Sequence, residues 1–245
     1  MYKFFVQENQ IINNKVNIEG KDFNHIKNVL RMKPQTKIFI SNKDNEKTYL
    51  CEIENIENEK VVCKIIEECE NTTELRIKVD LYQGLPKVDK LEYIIQKTVE
   101  LGINKIFPTN MKNCVAKIKD EAKKNERWQK ISEAAAKQSK RDIIPKVEFS
   151  VNIDDICNYI SKYDIALVAY ENEENISIKD VITSNEAQDY KKIAIIVGPE
   201  GGFNDKEIEK LKLSGAKIVS LGKRILRTET APVAMLSMIM YQYDL

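Results

Sequence analysis

Two short stretches of this chain carry residue types that could hold a ligand and act on it. The first reads Ile195-Ile196-Val197-Gly198-Pro199-Glu200-Gly201-Gly202-Phe203-Asn204, with three glycines in five residues. The second reads Ser220-Leu221-Gly222-Lys223-Arg224-Ile225-Leu226-Arg227-Thr228-Glu229-Thr230-Ala231. Glycine lets backbone approach a ligand closely because no Cβ stands in the way. The protein has only 8 glycines in 245 residues, about half the usual share, and five of them lie between Gly198 and Gly222. The spacing is not GxGxxG and no Gly-Lys-Ser/Thr follows, so neither a dinucleotide fingerprint nor a P-loop is present. Glu200 inside the loop would repel a pyrophosphate. A tight turn against some other ligand remains, with a plain strand-to-helix turn as the alternative. In the second stretch Arg224 and Arg227 can hold a phosphate or a base edge bidentately. Glu229 can pair with either arginine, or accept a proton or hydrogen bond from a substrate. Capping plus surface ion pairs would use the same residues.

Composition narrows the chemistry by exclusion. The single histidine, His25, rules out any mechanism needing two. Cys51, Cys63, Cys69, Cys114 and Cys157 are odd in number, widely spaced and never CxxC. That argues against a disulfide framework or a Cys/His zinc site, so reduced thiols, no metal and a cytoplasmic setting are expected. The longest apolar runs are short (193–197 has five residues), too short to span a bilayer. Residues 1–10 lack the long apolar core of a secretory signal. At 42% hydrophobic and 31% charged residues, the chain can bury a sizeable core. The net charge of +1 conceals an uneven distribution. Residues 111–146 hold eleven Lys/Arg against five Asp/Glu, a local balance of +6. Such a patch suits phosphate-backbone contact, and a solvated helix face is the alternative. Trp128 could stack on a base, but its helical spacing with Ile131 and Ala135 fits a core position.

Two patterns of elements must position these stretches. Short β-rich runs at 3–6, 37–40, 49–53 and 61–66 are separated by polar turns, as in a small barrel or sandwich. One helix-like interruption, 21–31, carries Phe23, Ile26, Val29 and Leu30 at helical spacing. The polar stretch 67–74 reads as a linker. Beyond it strand and helix alternate: strand 77–85, helix 88–101 with Val88, Leu91, Ile95 and Val99 on one face, strand 103–108, and a long amphipathic helix at 121–140. Gly102 ends the first of these helices. Runs 164–170 and 192–197 are near-continuous apolar strands of a parallel sheet. Asn204 and Glu207 form a capping box, 217–221 is a short strand, and Thr230 caps a last helix with Pro232 in its first turn. Two domains are expected, 1–72 and 73–245, the second α/β with a largely parallel sheet.

The two glycine loops, the run Ala134-Ala135-Ala136-Lys137-Gln138-Ser139-Lys140-Arg141, and Glu100-Leu101-Gly102 together carry a family resemblance. The chain resembles, essentially end to end, the RsmE family of 16S ribosomal RNA uridine N3-methyltransferases in the SPOUT superfamily. His25 and Val29-Leu30-Arg31 add to the match. Lys3 stands where arginine is usual, and Asn204 replaces a usual serine. The resemblance implies an N-terminal PUA-like β-barrel for RNA, then a SPOUT α/β domain with a C-terminal trefoil knot. It implies S-adenosylmethionine held bent among three loops, by Ala169, Tyr170, Val197, Gly198, Pro199, Glu200, Gly201, Gly202, Leu221, Gly222, Ile225, Leu226, Thr230 and Ala231. It implies RNA contacts from Lys3, His25, Arg31, Lys137, Gln138 and Arg141, and 16S rRNA in the small ribosomal subunit as partner. It also implies a homodimer through the SPOUT domain, for which Met235, Met238, Met240 and Tyr241 suit an apolar interface. Of the residues available, Arg227 can stabilise charge on a uracil carbonyl oxygen, and Glu229 can orient the base or share in proton removal. Two other readings use the same residues: a non-catalytic RNA-binding assembly factor, and an α/β enzyme acting on a small nucleotide.

Overall fold

The computed structural model describes residues 1–57, 59–70, 73–87 and 89–244. They divide into two compact units, Met1–Glu74 with Ala136–Ile144, and Leu75–Ala135 with Pro145–Leu245.

The first unit is a six-stranded, mostly antiparallel sheet. Its strands are β1 (Lys3–Val6), β2 (Ile11–Ile12), β3 (Lys15–Glu19), β4 (Lys37–Asn42), β5 (Thr48–Ile56) and β6 (Lys60–Cys69), in the order β1-β4-β5-β6-β3-β2. Only β1 and β4 run parallel. Register shifts between Leu50 and Cys51 and between Ile53 and Asn55 bend β5, as bulges do. Alternate residues then close one core of Phe4, Val16, Ile18, Ile38, Ile40 and Val61. Cys51 and Cys63 belong to the same core, where burial pushes both thiols up to about 12. They are inert apolar fillers at neutral pH.

Several expectations are corrected in this unit. The polar end of β6 takes residues 67–69, so the proposed linker is shorter than 67–74; Asn71 and Thr72 lie outside the described residues. The helix expected over 21–31 is α1 (Gly20–Asn24) followed by one wider turn, His25–Val29, where the Leu30 N–H donates to the His25 carbonyl at 2.8 Å. That wider turn breaks the 3.6-residue period. Ile26 is buried while Val29 stays 69% exposed.

The second unit is built on a parallel sheet. Its strands are β7 (Lys78–Gly84), β8 (Lys105–Asn110), β9 (Lys146–Val147), β10 (Val151–Asn152), β11 (Ile165–Ala169), β12 (Lys192–Val197) and β13 (Lys217–Val219). The order is β10-β8-β7-β12-β11-β13, with β9 beside β8. Val79, Leu81, Ile193 and Ile195 are fully buried, which is why these strands read as unbroken apolar runs. Strand order reverses between β7 and β12, and ligands bind at such switch points, outside the carboxyl ends of the strands.

The helices are α2 (Lys90–Glu100), α3 (Glu121–Ser139), α4 (Ile153–Tyr159), α5 (Ile178–Ile182), α6 (Asp205–Leu213) and α7 (Ala231–Tyr243). Val88, expected on the apolar face of α2, lies outside the described residues. Gly102 has φ +94°, a left-handed geometry that stops α2 and favours glycine. Asn204 and Glu207 form the expected capping box on α6. Thr230 does not cap α7 with its side chain, because its backbone is already helical. On α7 Met235 is fully buried, so it is a core residue and not an interface one; Met238 and Tyr241 remain exposed. Trp128 is buried as well.

Candidate active site

The site forms where the ends of β7 and β12 meet the segment that follows β13. Gly84 closes β7 and touches the glycine loop after β12. A Cβ on Gly84 would stand 2.6 Å from both Pro199 N and Pro199 Cδ. The loop turns through a Gly202 N–H donating to the Pro199 carbonyl at 3.0 Å, with Gly202 at φ +66°. Asn113, after β8, donates from Nδ2 to the Gly201 carbonyl at 3.0 Å. Phe203 sits edge-on to Tyr170 (centroids 6.5 Å apart), so the loops after β11 and β12 pack together.

Buried polar groups tie the C-terminal segment to this corner. Gln83, fully buried, donates from Nε2 to Thr228 Oγ1 at 2.9 Å, and Thr228 Oγ1 donates to the Gly198 carbonyl at 2.7 Å. Gln83 Oε1 is buried with no donor among the described residues. Before Thr228, the chain leaves β13 by Ser220, which donates its N–H to the Ile176 carbonyl at 2.8 Å. From Leu221 to Arg227 the segment is a ribbon of open backbone. Among the described residues its one N–H bond runs from Gly222 back to Ser220 Oγ, at 3.3 Å, and no group donates to the carbonyls of residues 221–226. Backbone polar groups need partners, and this ribbon offers its own to water or a ligand.

Charge at the site follows a different pattern from the one expected. Glu229 pairs with neither arginine; its Oε2 lies 3.1 Å from Lys90 Nζ. The same ammonium is 3.2 Å from Glu200 Oε1, which also accepts the Lys87 N–H at 3.1 Å. Lys90 is close enough to reach both because it opens α2, directly after the end of β7. For Glu229, burial opposes ionisation, but its own backbone N–H, Lys90 and Arg227 outweigh it and hold the carboxyl below its usual range. For Glu200, burial is likewise outweighed by its own N–H, the Lys87 N–H and Lys90. Arg224 and Arg227 are exposed, and neither side chain has a hydrogen bond or ion pair among the described residues.

The structure brings Gly198, Pro199, Gly201 and Gly202 together with Gly84, Asn113 and Thr228 at one corner, with Tyr170 against Phe203 and with Ala169 and Val197 paired at the ends of β11 and β12. Glu200 is joined to it through Lys90, and Leu221, Gly222 and Leu226 lie on the ribbon between Ser220 and Thr228. Thr230 and Ala231 enter α7 beside it, and Ile225 is 84% exposed. Sequence reasoning missed Gln83, Gly84 and Lys90. Their only signal was a glycine ending an apolar strand, and it lay outside the glycine-rich stretch. Among the described residues no cluster of His, Cys, Asp or Glu could hold a metal ion, and no helix is long and apolar enough to cross a membrane.

The six residues expected to touch RNA all belong to the first unit. His25, Arg31 and Gln138 are exposed. Lys3 is buried against Asp142, with 6% of its side chain exposed, and Arg141 is buried against Glu74, its Nε donating to Oε1 at 3.2 Å. Both guanidinium and ammonium are thereby removed from the surface, which corrects their assignment. Lys137 pairs with Asp22 at 3.0 Å.

Comparison with known proteins fits this geometry. Residues 73–240 match an RNA methyltransferase domain and residues 18–66 an RNA methyltransferase PUA domain. Ribosomal RNA small subunit methyltransferase E of Bacillus subtilis is 39% identical over 233 residues, covering 93% of this chain and 90% of that one. The crystal structure of a ribosomal RNA small subunit methyltransferase E from Neisseria gonorrhoeae, bound to S-adenosyl methionine, is 28% identical. It superposes with a TM-score of 0.87 over 99% of this chain and 98% of that one. A Legionella pneumophila structure in complex with the bound cofactor SAM is 29% identical, with a TM-score of 0.82 over 98% and 97% of the two chains. Two family models in tandem, and this likeness over nearly the full length, place the protein: the chain belongs to the ribosomal RNA small subunit methyltransferase E family.

Proposed function

We propose that this protein transfers a methyl group from S-adenosylmethionine to N3 of one uridine in 16S rRNA of the small ribosomal subunit. The observation that carries the reading is the open ribbon 221–227, together with a glycine loop packed so closely that a Cβ would strike the protein's own atoms. A Cβ on Gly198 would stand 3.1 Å from the Phe203 ring, and one on Gly201 3.0 Å from Asn113 Cβ. Adenine has donors and acceptors along its edge, and unpaired N–H and C=O groups of Leu221 and Leu226 are the complement to it. Gly198, Gly202 and Gly222 leave room for the ribose and methionine parts, with Tyr170 and Val197 bordering them. The residues present fit the group.

The cofactor, when bound, supplies a methyl group already activated on a sulfonium sulfur. The protein has to align a uracil nitrogen with it. Forming the N3–C bond requires N3 to give up its proton, and negative charge builds on the flanking carbonyl oxygens. Arg227, exposed and with no hydrogen bond or ion pair among the described residues, places a guanidinium where it can stabilise that charge. Glu229, kept ionised, accepts a hydrogen bond from N3–H, fixes the base, and takes up the N3 proton as the N3–C bond forms and the sulfonium C–S bond breaks. Exposed His25, Arg31 and Gln138 serve RNA from the N-terminal domain, which we divide from the methyltransferase domain at 72/73. The pairing of Ser220 with Ile176 and Ser177, which sets the segment after β13 beside the loop after β11, supports the reading of a SPOUT trefoil knot. Exposed Met238 and Tyr241 on α7 support a homodimer, in a cytoplasmic enzyme.

Mass spectrometry of rRNA nucleosides from a strain lacking the gene, with and without its restoration, tests the function. Loss and recovery of one N3-methyluridine in 16S rRNA is the expected result. An unchanged modification profile would overturn the reading and favour a non-catalytic assembly role.

A further inference from the structure

Lys90 is a lysine in an unusual place. It is the first residue of α2, where the helix dipole disfavours a cation. Its ammonium is nevertheless the shared counter-charge of two carboxylates on two different loops, Glu200 at 3.2 Å and Glu229 at 3.1 Å. These loops follow β12 and β13, the same two that border the cofactor corner. Glu229 Oε2 is buried, and among the described residues the Lys90 ammonium at 3.1 Å is the one cationic donor it meets. The carboxylate is therefore held as an anion through its buried Oε2, which leaves its other oxygen, Oε1, for an incoming N–H.

Resting on the methyltransferase reading, we propose that Lys90 is a positioning residue for methyl transfer, bridging Glu200 and Glu229 so that the two loops hold one geometry and Glu229 meets the uracil N3–H as a carboxylate. The charged groups facing Glu229 are Lys90 from α2, Arg227 from its own loop, and Glu200 through the shared ammonium. Arg227 is the cation meant for the substrate oxygen, so Lys90 is the one left to stabilise the carboxylate through the cycle. Without it, two carboxylates would face each other across the corner with only Arg227 to compensate. Glu229 would then protonate at a higher pH, and a protonated Glu229 offers N3–H a poorer acceptor.

The test compares Lys90→Met and Lys90→Arg with the unaltered protein. The titration midpoint of Glu229, read by carbon NMR of labelled glutamate, should rise by about one pKa unit in Lys90→Met, equivalent to a tenfold change in the ionisation equilibrium. Lys90→Arg should restore it. Single-turnover methylation of small subunits from the deletion strain should slow by about tenfold or more in Lys90→Met, and the acid limb of its pH profile should move upward with the midpoint. S-Adenosylmethionine affinity, by calorimetry, should change much less than the rate. In a Glu229→Gln background, Lys90→Met should add little further loss, which separates positioning from damage to the fold. An unchanged Glu229 midpoint, or additive losses in the double variant, would overturn the proposal. Because the NMR midpoint needs no RNA, failure of the unaltered protein to methylate uridine would defeat the functional reading and leave the Lys90 result legible.

Discussion

A single side chain at this site can be judged by what it touches and what it leaves untouched. Arg227 is exposed, lies beside a carboxylate already matched to Lys90, and has no hydrogen bond or ion pair of its own among the described residues. Removing it should cost the fold little. Its loss should be felt where charge develops on the uracil oxygen, and the removal of one such donor typically slows catalysis by about 10²–10³. Arg227→Ala is expected to lower the single-turnover rate by that order, with cofactor affinity by calorimetry near that of the unaltered protein. Near-normal methylation by a variant that still binds cofactor would remove Arg227 from the mechanism. Residue identity made Arg227 and Glu229 legible as candidates, because two charged groups stand in a short stretch between apolar elements. The partner of Glu229 was not legible. Lys90 is 139 residues earlier in the chain, and only the adjacency of β7 and β12 brings it near.

At the scale of elements, glycine positions separate two physical reasons for having no Cβ. Gly84 ends β7 against the backbone of Pro199 and Gly198, where a Cβ would come within 2.6 Å and 2.9 Å of atoms that cannot rotate aside. Gly222 has nothing within 4 Å of such a Cβ but sits at φ +110°. Gly84→Ala should push β7 and the glycine loop apart, with an overpacking cost of about 1–3 kcal/mol, and weaken cofactor binding and thermal stability together. Gly222→Ala meets only conformational strain in an exposed loop, which can relax by changing φ. It should raise the cofactor Kd while Tm stays near that of the unaltered protein. Calorimetry and thermal unfolding on both variants check the contrast, and equal falls in Tm would contradict it. Strong periodicity made β7, β11, β12, α3 and the capped α6 readable from sequence. Strands β2 and β3 were missed because Ile11–Ile12 is only two residues long and apolar and polar side chains alternate only over 15–19, too short a run. The 21–31 segment failed for another reason: its wider turn at His25–Val29 has no period that a helix template detects.

For the molecule as a whole, chain order and spatial membership diverge at one place. Ala136–Ile144 lies in the middle of the sequence yet belongs to the first unit, and Asp142 is the residue that fastens it. Asp142 is 3% exposed, pairs with Lys3, and accepts from Thr48 Oγ1 at 2.9 Å and from the Thr73 N–H at 3.2 Å. A sequence pattern could not reveal this, since Lys3 and Asp142 are 139 residues apart. Burial by itself would raise the Asp142 pKa, but Lys3, Thr73 and Thr48 together hold it below its usual value. The stabilisation is therefore fully present above the unfolded pKa of about 4, and is lost as pH falls through the lower folded value. Asp142→Asn keeps the shape but leaves the Lys3 ammonium buried without its counter-charge, a change that typically costs about 3–5 kcal/mol. Amide hydrogen exchange in β1 and β4 should quicken by orders of magnitude in Asp142→Asn at neutral pH, with little change in β11 and β12. The gap between the two proteins should narrow as pH is taken below about 4, because the unfolded carboxyl takes up its proton there first and the native one follows at its lower value. A gap of constant size from pH 7 to pH 3 would mean that the carboxyl acts there through its hydrogen bonds alone, and that the charge on Lys3 is met some other way.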